Sequence, residues 1–108
     1  MNGEEFVSTV EKRIHKCLDT LGIKAQEYAH DEDRLRAFRA AAAIEKTTPE
    51  AALGGMLAKH IVSIYDMLGN PRGYSKERWD EKIGDAINYL LLLDALLQDD
   101  VFQEDYKE

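Results

Sequence analysis

Between Ser75 and Gln98 the chain carries Trp79, Ile83, Ala86, Ile87, Leu90, Leu91, Leu93 and Leu97, which cover more than one face of a single helix. A helix that is apolar around so much of its circumference has to be buried on several sides. In a chain of 108 residues that makes it either the central helix of a bundle or a surface held against another subunit. No stretch shows the two-residue alternation of a half-buried strand. The expectation is an all-α protein, a compact bundle of about four helices that assembles into an oligomer.

Three shorter patterns supply the other helices. Phe6, Val10, Ile14, Cys17 and Leu21 lay one apolar stripe along a segment from about Glu4 to Tyr28, with Gly22 as the place where it can kink. After His30, Asp31 is a candidate N-cap for a second helix. Leu35, Phe38 and Ala42 supply its buried side, with Ile44 as a further candidate. Thr48, Pro49 and Glu50 form the clearest helix start in the chain, because proline fits the first helical position and an acid favours the first turn. Leu53, Leu57, Ile61, Ile64 and Leu68 are the expected core stripe of that third helix, and Gly69-Asn70-Pro71-Arg72-Gly73 breaks it. Ser75 is placed to cap the last helix. The helical domain is expected over residues 1–98, with 99–108 an acidic, solvated tail carrying Asp99, Asp100, Glu104, Asp105 and Glu108.

Composition narrows the function classes. A net charge of −7 disfavours nonspecific binding along a nucleic-acid backbone, which needs a basic surface. The longest pure apolar run, Leu90 to Leu93, is far short of the roughly 20 residues that span a bilayer. The N-terminal MNGEEFVSTVEKR has no apolar stretch behind a basic start, so it does not read as a signal peptide. A cytoplasmic protein without membrane partners is expected. Cys17, the single cysteine, reads as a buried thiol within the stripe.

Unusual polar residues concentrate on the last two helices. Lys59, Ser63 and Asp66 are spaced by four and three and share a face, with His60 beside it; Glu81, Asp85 and Asn88 repeat that spacing on the other helix. Asp85 lies among Ile83, Ile87 and Leu90, where an ionised carboxylate is costly unless it meets a cation, a metal or several donors. Two readings stay open. One is structural, a salt bridge of Lys59 with Asp85 or Glu81 and Asn88 bonded to backbone. The other is a polar pocket between the helices for a phosphate or Mg²⁺, with Arg34, Lys59, His60, Ser63 and Asn88 toward the phosphate. Glu27, Asp66, Glu81 and Asp85 would then be the hard oxygen ligands that suit Mg²⁺. Trp79 reads as core.

The stretches Asp33-Arg34-Leu35-Arg36-Ala37-Phe38, Gly55 to Met67 (GMLAKHIVSIYDM) and Trp79 to Leu90 (WDEKIGDAINYL) together resemble a family of small phage and prophage proteins of unassigned function, over roughly residues 18 to 97. More remotely, Glu81-Lys82-Ile83-Gly84-Asp85 followed by an apolar helix is similar to the second metal-binding helix of MazG-type all-α nucleoside triphosphate pyrophosphohydrolases. That resemblance implies an oligomeric helical bundle using Mg²⁺ held by carboxylates on two helices. The chain departs from the pattern. The ExxD spacing would put a glutamate at position 82, where Lys82 stands, and the EExxE helix has no counterpart. Both changes favour holding phosphate over holding several metal ions. The expected function is therefore a phage-type nucleotide-binding protein that sequesters a signalling nucleotide, a cyclic one included, and so counters host immune signalling. An Mg²⁺-dependent pyrophosphohydrolase, and an interaction or assembly module without a ligand, are the alternatives.

Overall fold

In a computed structural model, residues 1–23 and 35–102 are described. They form four α-helices, one π turn and one 3₁₀ turn, and no strand occurs among them. The chain divides into two compact units, Met1–Arg34 and Leu35–Glu108.

In the first unit, α1 spans Gly3–Leu18. Asn2 caps it, its Oδ1 accepting from the Glu5 N–H at 2.8 Å. Glu4 and Glu5 occupy the first turn, and His15 and Lys16 the last, the distribution that the helix dipole favours. The helix widens into a π turn over Asp19–Ile23, which contains Gly22, the expected kink. Lys24 to Tyr28, the expected end of this helix, and the candidate cap Asp31 lie outside the described residues. Of the apolar stripe, Cys17 is buried and Leu21 is half-buried, while Phe6, Val10 and Ile14 are exposed. The π turn that continues α1 is the sole other described element of this unit, so no described helix of the unit covers the stripe.

The second unit holds α2 (Arg36–Glu45), α3 (Pro49–Leu68) and α4 (Lys76–Asp100). Thr48 caps α3, accepting from the Ala51 N–H at 3.2 Å, and Pro49 opens it; Ser75 caps α4, accepting from the Arg78 N–H at 3.1 Å. The α2 helix ends on Lys46 in the left-handed region, φ 58°, whose N–H reaches the Ala42 carbonyl. Glycine or asparagine is the usual residue there. The 3₁₀ turn Pro71–Gly73 links α3 to α4, and the Trp79 Nε1–H donates to the Pro71 carbonyl at 2.9 Å. Trp79 is half-buried, with its ring edge against Tyr74.

The short link makes α3 and α4 an antiparallel pair, with α2 packed against it. Leu35, Phe38, Leu53 and Leu96 form the core, flanked by Met56, Leu57, Tyr89, Leu92 and Leu93. Leu35, Phe38 and Ala42 are buried as expected, whereas Ile44 is 83% exposed. The α3 stripe is only partly the expected one. Leu53 is fully buried and Leu57 and Ile64 half-buried, but Ile61 and Leu68 are exposed, and Ala52 and Met67 are buried instead. Steps of four residues advance about 40° past a full turn, so a stripe built on them drifts around the helix. The face against α4 follows steps of seven, Leu53, His60 and Met67, which drift only about 20° the other way.

On α4, Ala86 and Leu96 are buried, whereas Ile83, Leu90 and Leu91 are exposed, so the helix carries more apolar surface than its unit covers. It also runs to Asp100, past the expected end at Gln98. Asp99 and Asp100 are exposed, and Arg39 of α2 reaches them at 2.6 and 2.9 Å. The rest of the acidic tail, residues 103–108, lies outside the described residues.

Candidate functional site

The seven-residue line along α3 carries His60 into the α3–α4 interface two turns beyond Leu53, and the antiparallel run of α4 sets Asp85 and Tyr89 opposite it. The His60 Nδ1 lies 3.8 Å from Asp85 Oδ2, beyond hydrogen-bonding distance. The imidazole instead lies against the Tyr89 ring, centroids 5.0 Å apart and planes tilted by 34°. Tyr89 in turn meets Phe38 edge-on at 6.4 Å, which ties the imidazole to the core through two rings.

Two polar atoms here lack partners. His60 Nδ1 and Asn88 Oδ1 are both shut off from solvent without a hydrogen bond. Such atoms cost free energy unless something satisfies them. The foreseen salt bridge of Lys59 with Asp85 or Glu81 does not form: His60 faces Asp85, and Glu81 sits 3.9 Å from Arg78 on its own helix. Nor does the Asn88 side-chain oxygen find the backbone partner that the structural reading needs.

The remaining candidates are more dispersed. Lys59 is exposed on α3 next to His60, Ser63 is half-buried one turn further on, and Asp66 is exposed near the helix end. Arg34 and Glu27 lie outside the described residues. Among the described residues, no three His, Cys, Asp or Glu side chains come together in a way that could hold a metal ion; Asp66, Glu81 and Asp85 therefore do not form a cage by themselves. Sequence reasoning missed Tyr89. Its signal was its position one turn after Asp85, on the seven-residue line Lys82, Tyr89, Leu96.

His60 and Asp85 bring together one ring nitrogen and one carboxylate, with the side chain of Asp85 39% exposed and that of His60 22% exposed, and Asn88, three residues after Asp85 on α4, adds a buried amide oxygen. An imidazole N–H donates and the amide and carboxylate oxygens accept, while Lys59, next to His60 in sequence, is exposed. Hydroxyls, a heterocyclic base edge and a phosphate match that set. A shallow groove on α1, lined by Gly3, Glu4, Val7, Ser8 and Glu11, shares no residue with it. Among the described residues no helix is long and apolar enough to cross a membrane. The chain matches no protein-family model, no curated protein and no solved structure.

Proposed function

We propose that this chain binds a nucleotide-like small molecule at the α3–α4 cluster and holds it intact. As a phage-type protein acting in the cytoplasm it would thereby withdraw a signalling nucleotide, such as a cyclic one, from host defence. The observation that supports this reading is that the packed helices α3 and α4 each carry a buried, unbonded polar atom, His60 Nδ1 and Asn88 Oδ1, with the partly exposed carboxylate of Asp85 3.8 Å from the imidazole. A polar cluster that served only to join the helices would be expected to satisfy its own members. Retention is favoured over hydrolysis by the donor set, which mixes imidazole, amide and a single carboxylate. In the hydrolytic alternative Glu27, Asp66, Glu81 and Asp85 would hold Mg²⁺, which would activate water.

The test is incubation with a panel of canonical triphosphates and cyclic nucleotides with Mg²⁺, chromatographed before and after heat denaturation. A nucleotide that leaves the free pool and returns intact is the expected result. Conversion to monophosphate and pyrophosphate would establish the hydrolase instead. No change with any nucleotide would leave the assembly module, a reading that the exposed apolar residues of α3 and α4 favour.

A further inference from the structure

With successive residues about 100° apart around a helix, Ala51, Gly54, Gly55, Ala58, Ile61, Val62, Tyr65 and Leu68 fall on one side of α3, across an arc of about 140°. The side chains against α2 and α4 lie elsewhere on the helix. Glu50, which falls at the angle of Leu68 in the first turn, is the sole charged residue of this side within the helix. The side is nonetheless open: Val62 is 59% exposed, Tyr65 71% and Leu68 52%. Its two ends differ in size, with small residues in the N-terminal half and large ones in the C-terminal half. A methyl group added at Gly54 or Gly55 would meet nothing within 4 Å, so no neighbour among the described residues requires either glycine.

We propose that this face of α3 is the contact between two copies of the chain, paired antiparallel across a twofold axis midway between Ala58 and Ile61. A twofold contact must be self-complementary, and three features meet that condition. In shape, the antiparallel arrangement sets the large half of each α3 over the small half of its mate, with Tyr65 above Gly54 and Leu68 above Ala51. In charge, Glu50 opens α3 and Arg72 follows its last turn, so each end of the pair joins an acid to a base. Glu50 is half-buried and Arg72 exposed. In area, Ile61, Val62, Tyr65 and Leu68 together expose on the order of 400 Å² per copy, the size at which apolar patches mark interaction sites. With the small half included, two copies approach the roughly 1,000 Å² of a specific interface. The contact stands whether or not the α3–α4 cluster binds a nucleotide.

Sedimentation equilibrium across micromolar concentrations tests it on the full chain, with circular dichroism as the check on folding. The wild-type chain is expected to dimerise. Tyr65→Glu, at an exposed position, is expected to stay helical and weaken the dimer on the order of ten-fold or more. Gly54→Leu separates this contact from a general loss of structure. It improves helix propensity and its Cβ meets nothing within 4 Å among the described residues, so it should keep or raise the melting temperature of the monomer while weakening the dimer. Arg72→Glu should weaken association, and Arg72→Glu with Glu50→Arg should recover part of it. A monomeric wild type near 100 µM, roughly the top of the working range for this class of contact, would overturn the proposal, as would a dimer that Tyr65→Glu and Gly54→Leu leave unchanged.

Discussion

Asn88 concentrates the physics of the candidate site, because its buried side-chain oxygen has no partner. An unsatisfied buried acceptor costs about 1–3 kcal/mol, and leucine has the same branching without that atom. Asn88→Leu is therefore expected to leave the thermal midpoint unchanged or raise it, while abolishing retention of the nucleotide in the chromatographic assay. A destabilisation beyond about 1 kcal/mol would mean that the amide makes a bond the folded chain depends on. The need at Asp85 was legible from its apolar flanks, since a carboxylate there must meet something. Which residue it meets was not. Lys59 shares the charge pattern, but the seven-residue line of α3 turns His60 toward α4 and leaves Lys59 exposed. Lys46 shows a different limit, since nothing in a lysine side chain announces the left-handed backbone that ends α2.

At the scale of elements, the helix starts at Thr48-Pro49 and Ser75 were readable because capping is local chemistry, settled by three or four consecutive residues. The end of α4 was not, because what holds it is distant in sequence. Asp99 and Asp100 look like the first residues of an acidic tail until α2 brings Arg39 to both. The pairing is partly exposed, with Asp99 more open than Asp100, so each ion pair should contribute no more than about 1 kcal/mol. Arg39→Met keeps much of the aliphatic stem and removes the charge. It should destabilise the protein by about 1 kcal/mol at low salt and by less near 1 M salt, where screening has already weakened the pairs. Urea denaturation at both salt concentrations checks this. A double-mutant cycle with Asp99→Asn and Asp100→Asn isolates the pairs, and strictly additive losses would show that Arg39 acts through other contacts.

For the whole molecule, helix content was legible in the absence of alternation, but its division into two units was not, because one apolar stripe looks much like another until the covering partner is known. The core residues Leu35, Phe38, Leu53 and Leu96 all come from the second unit, and so do the antiparallel contacts of α3 with α4. A chain beginning at Leu35 therefore retains every side chain of that core. It is expected to remain helical and to melt cooperatively. Leu53, with no exposed surface, provides the quantitative check: Leu53→Ala should remove about 2–5 kcal/mol, by the same amount in the shortened chain and in the full one. Equal losses would show that the second unit is stabilised by its own interior. A shortened chain that loses its cooperative melt, or a Leu53→Ala loss that shrinks sharply on removing residues 1–34, would mean that the first unit shares the stabilisation of that core.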